Sequence, residues 1–238
     1  MAGHSKWANT KHRKDRADRK KGKIFSRIMK EIISAVRQGG PDPKSNSKLR
    51  LAIQKAKDAN MPNDNVERNI KKASSADAQD YTEMTYELYG FGGVGLIVDI
   101  MTDNKNRISS DIRIATNKCG GTVATPGAVA YNFDRKGVIR VTKGSIDGDA
   151  LFLLAGDVGA EDLAEEEDQF VVVTPIEAFS KVREAVQGSG AKIEEAALEM
   201  VPKTRVEVSD EIANQNIALI EYLENLDDVD AVFHNMKL

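Results

Sequence analysis

The spacing of apolar residues changes near residue 80, and this change separates two kinds of structure. Before it, apolar side chains recur on one face of a helix, as in the run through Ile24, Ile28, Ile32 and Val36. After it, short apolar runs typical of strands are interspersed with helical patterns. The sequence therefore predicts an α+β protein with a helical N-terminal region.

Three helices are predicted within residues 1–80. The first ends at Gly39 and Gly40, which are followed by Pro41. The third is predicted to begin at Asp64, whose carboxylate would form a capping box with Glu67. Helices this short are marginal alone, so we expect them to pack together as one small basic domain.

The remainder is predicted to hold strands and helices in alternation. The predicted strands are residues 84–89, 94–101, 129–133, 138–142, 161–164, 169–173, 193–200, 205–208 and 229–235. The predicted helices are residues 104–118, 147–155, 175–187 and 210–226. Six of these elements, from Gly137 onward, follow the order β-α-β-β-α-β, which is the ferredoxin-like split motif.

The order of these elements predicts three domains. They are a basic arm with a three-helix domain at residues 1–80, an α/β domain at residues 81–136 plus 202–238, and a ferredoxin-like domain at residues 137–201. The last of these is predicted to be inserted into the second.

The segment from Gly90 to Gly95 fits the pattern G-x-G-x-x-G of dinucleotide-binding folds. That motif needs a helix directly after its glycines, so that the pyrophosphate meets the helix N-terminus. An apolar strand follows here instead, and we interpret the segment as a turn between two strands. No cofactor is predicted.

No set of residues converges on a catalytic or metal-binding pattern. The three histidines are His4, His12 and His234, Cys119 continues the apolar stripe of its helix, and the acidic run at residues 161–168 is interpreted as a solvated edge. We therefore predict no enzyme activity, no catalytic residue and no metal. Membrane spans need about 18 uncharged apolar residues, and no run approaches that length, so a cytoplasmic protein without a membrane partner is expected.

Charge is distributed very unevenly. Residues 1–80 contain 20 Lys and Arg against 9 Asp and Glu, a net charge of +11, whereas the whole chain has a net charge of −3. Most of this excess, +9, lies within residues 1–30, which we call the basic arm. A dense block of cations in an otherwise acidic chain indicates a polyanion partner, and composition does not separate DNA from RNA.

The candidate nucleic-acid contacts are the cations of the arm and two flat side chains among them that can stack on bases. They are Lys6, Trp7, Lys11, His12, Arg13, Lys14, Arg16, Arg19, Lys20, Lys21, Lys23 and Arg27. The acidic α/β domains are expected to be free to meet a protein partner.

A second candidate site lies at the predicted junction between a strand and a helix. Asn104, Lys105, Asn106 and Arg107 combine helix N–H groups with two cations, which suits a phosphate or a carboxylate. The alternative is that Asp103 or Asn104 simply caps the helix.

Several long motifs resemble the YebC/PmpR family. They are Met1 to Asn9 (MAGHSKWAN), Lys11 to Lys14, Gly22 to Phe25, Asn60 to Pro62, Asp64 to Arg68, Thr102 to Arg107, and His234-Asn235. The sequence departs from the family at Gly127-Ala128-Val129, where many members have Gly-Ser-Val, and at residues 122–126.

The resemblance implies a cytoplasmic bacterial protein with three domains, one α/β domain being inserted in the other. It implies a probable transcriptional regulatory protein that binds DNA and is not an enzyme. Other members, including a mitochondrial translational activator of cytochrome oxidase, are associated with ribosomes and with relief of stalled peptide synthesis. The alternative function is therefore a translation factor that binds ribosomal RNA through the basic arm.

Overall fold

The computed structural model describes residues 4–75 and 80–237, with side chains from residue 22 onward. Within that part the protein is α+β, with seven α-helices and two four-stranded sheets. The helices are α1 (His4–Gly39), α2 (Ser47–Asp58), α3 (Asn63–Ala73), α4 (Lys105–Cys119), α5 (Gly148–Asp157), α6 (Phe179–Gly188) and α7 (Asp210–Glu224). The strands are β1 (Thr82–Tyr89), β2 (Gly95–Thr102), β3 (Thr122–Val123), β4 (Phe133–Thr142), β5 (Asp162–Glu165), β6 (Gln169–Thr174), β7 (Ile193–Pro202) and β8 (Val229–His234).

The strands form two sheets, one from β1, β2, β3 and β8 and the other from β4 to β7. The first has the strand order β3-β1-β2-β8, and the second has the order β5-β6-β4-β7. In the second sheet each neighbouring pair is antiparallel. Its elements follow the chain order β4, α5, β5, β6, α6, β7, which confirms the predicted order β-α-β-β-α-β.

The chain forms two compact units. The first comprises Met1–Tyr86, Val98–Gly121 and Ile217–Val232, and the second comprises Glu87–Ile97, Thr122–Asn216 and Phe233–Leu238. The division into three domains made from the sequence stays a prediction. None of the helices in the described residues is both long enough and apolar enough to span a bilayer.

In the first unit, helices α1, α2 and α3 share one apolar core, as their stripes predict. Ile28, Ile32 and Val36 of α1 are buried against Leu49 and the other apolar residues of α2 and α3. Asn46 ties α2 to the end of α1, because its side chain accepts from the N–H of Leu49 at 3.0 Å and donates to two carbonyls of the preceding segment at 2.8 Å.

The capping box predicted at Asp64 is wrong. Helix α3 begins one residue earlier, at Asn63, and its N-cap is Pro62, which has no side-chain cap. The carbonyl of Pro62 accepts from the N–H of Asn65 at 3.0 Å. Asp64 therefore lies inside the first turn, where its charge favours the helix dipole without capping it.

In the second unit, helices α5 and α6 cover one face of the sheet β5-β6-β4-β7. Ile139 and Val172 from the strands are buried with Leu151 of α5 and with Val182 and Val186 of α6. The acidic run predicted as a solvated edge includes β5, the outermost strand of this sheet, where three of the four residues are exposed.

The strand predicted at residues 129–133 is wrong except for its last residue. Residues Ala130–Asn132 form a short 3-10 helix, and β4 begins at Phe133 and continues to Thr142. The backbone N–H groups of Val129 and Ala130 donate to the buried carboxylate of Glu87, which competes with strand pairing. The strand predicted at residues 205–208 is also wrong, since Val206 forms only an isolated bridge with Met236.

The glycine-rich segment is a turn between strands, as predicted. A short 3-10 helix, Phe91–Gly93, links β1 to β2, and Gly92 has a φ of 67°. A Cβ atom at Gly92 would lie 2.9 Å from a methyl group of Ile212. The buried side chain of Asn216 bonds both the N–H and the carbonyl of Phe91, at 2.9 and 3.1 Å. These glycines therefore permit close packing against the start of α7.

Candidate nucleic-acid interface

The candidate nucleic-acid contacts divide at residue 22. The side chains of Lys6, Trp7, Lys11, His12, Arg13, Lys14, Arg16, Arg19, Lys20 and Lys21 lie outside the described residues. Lys23 and Arg27 are described, and both lie on α1. Their surroundings show how the helix that carries the arm is held.

Lys23 is bound to main-chain carbonyls far along the chain. Its ammonium group donates to the carbonyl of Val229 at 2.7 Å and to that of Leu226 at 3.3 Å. Burial of the side chain lowers the pKa of Lys23, because a partly desolvated ammonium loses hydration. Lys23 therefore contributes to holding α1 in place.

Arg27 is paired with two carboxylates. Its Nε lies 3.2 Å from Glu31, one turn along α1, and 3.8 Å from Asp230. Burial opposes the charge of the guanidinium, but Asp230 and Glu31 outweigh that penalty and raise the pKa of Arg27. Nucleic-acid binding by Lys23 and Arg27 stays a prediction, and both side chains already have partners within the fold.

Lys30, which the sequence does not single out, completes this set. It is only 8% exposed. Its Nζ donates to the carbonyls of Met101 at 2.8 Å and Asp227 at 3.1 Å, and it lies 3.7 Å from Asp228. The same Nζ lies 5.9 Å from the centre of the Tyr81 ring. A lysine bordering a stripe of buried isoleucines is the sequence signal that points to such a buried cation.

These three cations lie on one face of α1. Lys23, Arg27 and Lys30 are separated by four and three residues, which places them in a row along a helix. All three reach residues 226–230, which follow α7 and include the start of β8. We call this segment the acidic turn, after its three carboxylates, Asp227, Asp228 and Asp230. Arg27 and Lys30 lie close to carboxylates of the acidic turn, whereas Lys23 donates to its main-chain carbonyls.

The carboxylate of Asp230 is nearly buried and pairs with Arg27. Its side chain is 6% exposed, and the partner distance to Arg27 is 3.8 Å. Burial raises the pKa of Asp230 to about 6, although Arg27, Lys30 and Lys23 all act in the opposite direction.

Asp228 connects the acidic turn to the second candidate site. One of its oxygens accepts from the hydroxyl of Thr102 at 2.9 Å and from Arg107 at 2.6 and 3.1 Å. Arg107 also donates to Asp103 at 2.6 Å. These hydrogen bonds to Asp228 and Asp103 raise the pKa of Arg107.

The N-terminus of helix α4 is capped by the side chain of Asn104. The side-chain oxygen of Asn104 accepts from the N–H groups of Asn106 at 3.1 Å and Arg107 at 3.0 Å. This is the capping alternative that the sequence left open. Two N–H groups and the Arg107 guanidinium are therefore already bonded, while Lys105 is exposed. An anion site formed by Asn104, Lys105, Asn106 and Arg107 stays a prediction that these contacts do not support.

An open cleft of about 530 Å³ lies beside these groups. Its lining residues are Ser26, Lys30, Tyr81, Asp103, Arg107, Asp227 and Asp228. The described residues include no group of three or more His, Cys, Asp or Glu side chains placed to hold a metal ion. Most of the charged side chains that line the cleft are paired with one another. We interpret the cleft as the edge of the contact between α1 and the acidic turn.

The fold and these contacts define an α+β protein in which a basic N-terminal helix is joined to an acidic turn. Residues 5–76 match the family model described as the TACO1/YebC protein N-terminal domain, and residues 81–236 match the model described as the TACO1/YebC second and third domain. The chain belongs to the TACO1/YebC family, which confirms the resemblance found in its motifs.

Similar proteins are known from chlamydial bacteria. A probable transcriptional regulatory protein of Protochlamydia amoebophila is 64% identical over 238 residues, covering 100% of this chain and 97% of that protein. One from Chlamydia muridarum is 59% identical over 237 residues, covering 99% of this chain and 100% of that protein. The names of these relatives describe regulators of transcription.

A solved structure shows the same fold. The crystal structure of a conserved hypothetical protein from Aquifex aeolicus is similar with a TM-score of 0.78 and 39% sequence identity. The match covers 93% of this chain and 92% of that one.

Proposed function

We propose that this chain is a nucleic-acid-binding regulator of gene expression, that DNA is its target and that the basic arm carries the binding. The supporting observation is the net charge of +9 within residues 1–30 of a chain whose total is −3. Cations packed this densely release counterions from a polyanion when they bind, which supplies affinity that does not depend on sequence.

The contacts of α1 add to this argument. Lys23, Arg27 and Lys30 are committed to carbonyls and carboxylates of the same chain. The cations proposed for nucleic-acid binding therefore lie mainly N-terminal to Lys23. In this proposal, the anchored segment fixes the base of the arm and residues 1–21 meet the phosphates.

The names of the relatives favour a role in transcription. We propose that the protein acts in the cytoplasm without catalysis, and that its three domains are residues 1–80, residues 81–136 with 202–238, and residues 137–201. The acidic domains would meet a protein partner.

The second candidate function is that of a ribosome-associated translation factor. Residues beyond 80 are strongly acidic, with 28 Asp and Glu against 14 Lys and Arg. Such a surface is repelled by a DNA duplex lying across it. An arm that combines cations with Trp7 and His12 suits an irregular RNA surface with unstacked bases.

Neutralising part of the arm tests the proposal. We expect the fivefold variant Lys11→Gln, Arg13→Gln, Lys14→Gln, Lys20→Gln and Lys21→Gln to lose nearly all affinity for a labelled DNA duplex and for a ribosomal RNA fragment. Fluorescence anisotropy over a range of salt concentrations measures this loss. If about six cations meet phosphates, the wild-type plot of log K against log salt should have a slope of roughly −5, and the variant slope should be much shallower.

A matched control separates position from total charge. Five exposed cations in or beside the described helices, Arg37, Lys44, Lys57, Lys71 and Lys72, are changed to Gln in the control variant. This variant has the same net charge as the arm variant, and we expect it to keep most of the affinity. Equal binding by the arm variant and the wild type would refute the proposal.

Crosslinking in cells, followed by sequencing of both RNA and DNA, distinguishes the two candidate functions. Enrichment of promoter DNA supports a transcriptional role. Enrichment of ribosomal RNA without promoter DNA supports the translation factor.

A further inference from the structure

Helix α5 leaves two large apolar side chains in water next to each other. Phe152 is 60% exposed and Leu153 is 64% exposed, whereas Leu151 and Ala155 of the same helix are buried against the sheet. A helix that packs on a sheet normally presents polar side chains to water on its outer face. An apolar pair on that face is therefore a candidate contact surface for a partner.

Carboxylates bracket this pair along the helix. Asp149 lies four residues before Leu153 and Asp157 lies four residues after it, so the three side chains form one row on the surface of α5, with Phe152 beside it. Both carboxylates are exposed, and in the described part of the chain neither forms an ion pair. Helix α5 contains no Lys or Arg. Its outer face is thus apolar in the middle and negatively charged at both ends.

The chain segment that contains α5 is uniformly acidic. Residues 144–180 hold ten Asp and Glu and no Lys or Arg. Helix α5 connects β4 to β5, which lie on either side of β6, so it crosses the part of the sheet that ends at the acidic edge strand β5. Lys136 and Lys143 reach that edge, but they are paired with Glu161 and Glu165. The surroundings of α5 therefore keep a large excess of negative charge.

The neighbouring helix adds little positive charge. Helix α6 shares an apolar core with α5 and contributes Lys181 and Arg183 against Glu184. It connects β6 to β7, which lie on either side of β4, so it crosses the half of the sheet away from β5. One net positive charge there does not offset the ten carboxylates of residues 144–180.

Another exposed leucine shows that exposure alone is not the signal. Leu51 of α2 is 60% exposed, but it is a single apolar side chain, which is common on protein surfaces. Lys48 lies three residues before it and Lys55 four residues after it, and α2 contains four cations and one carboxylate. Two adjacent apolar side chains between unpaired carboxylates distinguish α5 from α2.

We propose that the outer face of α5 binds an amphipathic helix, rich in Lys and Arg, of a protein partner. Phe152 and Leu153 pack into the apolar stripe of that helix. Asp149 and Asp157, about 12 Å apart along α5, meet cations that lie about two turns apart on the partner. Nucleic acids and anionic membranes are repelled by the same carboxylates. This inference rests on the proposed function, in which the acidic domains meet a protein partner, and it places that contact on α5.

The apolar contact is tested with a short fluorescein-labelled peptide of leucine and lysine, whose leucines form one helical stripe. Fluorescence anisotropy measures its binding to the full chain. We expect Phe152→Gln with Leu153→Gln to weaken binding at least about tenfold, because two apolar side chains are no longer buried. Glutamine is a good helix former, so α5 should persist, and circular dichroism checks this. Leu51→Gln is the matched control and should bind the peptide like the wild type.

The carboxylates are tested separately. Asp149→Asn with Asp157→Asn should weaken binding of the same peptide severalfold in dilute salt, and the remaining binding should depend less on salt, because charges at the rim of a contact are screened. Asp64→Asn with Glu67→Gln removes the same charge from exposed positions of α3 and should bind the peptide like the wild type.

Three results overturn the inference. One is equal peptide binding by the wild type and the variant with Phe152→Gln and Leu153→Gln, and another is equal binding by the wild type and the variant with Asp149→Asn and Asp157→Asn. The third is a wild type that dimerises in sedimentation equilibrium while the first variant stays monomeric, which would show that a second copy covers this face.

The arm variant keeps this test distinct from that of nucleic-acid binding. Both α5 variants should bind the DNA duplex like the wild type, and the fivefold arm variant should still bind the peptide. Loss of DNA binding by the α5 variants would place nucleic acid on this face and contradict the inference. Undiminished DNA binding by the arm variant contradicts the proposed function instead.

Discussion

Two buried carboxylates in this protein, Glu87 and Asp228, are stabilised in different ways. Glu87 is 8% exposed and accepts three hydrogen bonds from main-chain N–H groups of one loop, residues 127–130. Burial would raise its pKa, but these three bonds outweigh burial and lower the pKa of Glu87.

Asp228 is 6% exposed and depends on side chains from distant parts of the sequence. Arg107 of α4 and Thr102 of β2 donate to it, and Lys30 of α1 lies 3.7 Å away. Glu87 therefore organises a loop, whereas Asp228 joins three elements. Main-chain donors survive every substitution except one by proline, whereas a side-chain cation is easily left without its partner, so the two sites should respond differently to mutation.

The largest effect is expected for Asp228→Ala. This substitution leaves the nearly buried ammonium of Lys30 without its carboxylate, and breaking a buried ion pair from one side costs about 3–5 kcal/mol. The loss of unfolding free energy is measured by urea denaturation monitored by circular dichroism. The double variant Asp228→Asn with Lys30→Met should recover part of the loss, because both charges are gone.

Asp227→Ala is the matched control for this prediction. Asp227 is exposed, and Lys30 contacts its carbonyl, which alanine retains. We expect a change of no more than about 0.5 kcal/mol. Equal losses for Asp227→Ala and Asp228→Ala would show that the turn, not the buried pair, determines stability.

A smaller effect is expected for Glu87→Gln. The amide has one acceptor oxygen, so main-chain donors lose a partner, at a cost of about 1–3 kcal/mol. Because the pKa of Glu87 is lowered in the fold, the carboxylate stabilises the wild type fully above about pH 5, and this stability is lost as the pH falls through the lowered pKa.

The difference in unfolding free energy between the wild type and Glu87→Gln should therefore shrink on acidification. Glu83→Gln, at an exposed position of the same strand, is the control and should leave stability unchanged. A difference that stays constant between about pH 6 and pH 3 would contradict the proposed charge dependence.

The smallest effect is expected at Asp230, the nearly buried carboxylate that pairs with Arg27. Its pKa of about 6 is above the value of an unfolded aspartate. Between these two pH values, Asp230 is therefore protonated in the folded state but ionised in the unfolded state. The wild type should gain stability relative to Asp230→Asn as the pH falls from 7 towards 4, by on the order of 1–2 kcal/mol. Parallel pH profiles for the two proteins, measured by urea denaturation, would rule this out.

The helical periodicity and the element order were predictable because they depend on local spacing. The stripe through Ile28, Ile32 and Val36 is buried as expected. The strand predicted at residues 129–133 failed because its donors go to Glu87, some 40 residues earlier, and no local pattern reveals that contact.

The candidate site shows the same limit. The positive charge of Lys23 and Arg27 is obvious in the sequence, but their partners lie about 200 residues away, at Leu226, Val229 and Asp230. Charge density predicts the kind of partner that an arm attracts. It does not show which cations the fold itself already uses.

The start of β4 lies beside the end of β7, which suits the proposed insertion of residues 137–201. Phe133 lies opposite Pro202, and Asp134 lies opposite Val201, so the polypeptide leaves and returns at neighbouring positions. Antiparallel partners have Cα atoms only about 4.5–5.5 Å apart, which a two-residue hairpin loop can bridge. A short turn could therefore join the chain at these positions in place of the domain proposed at residues 137–201.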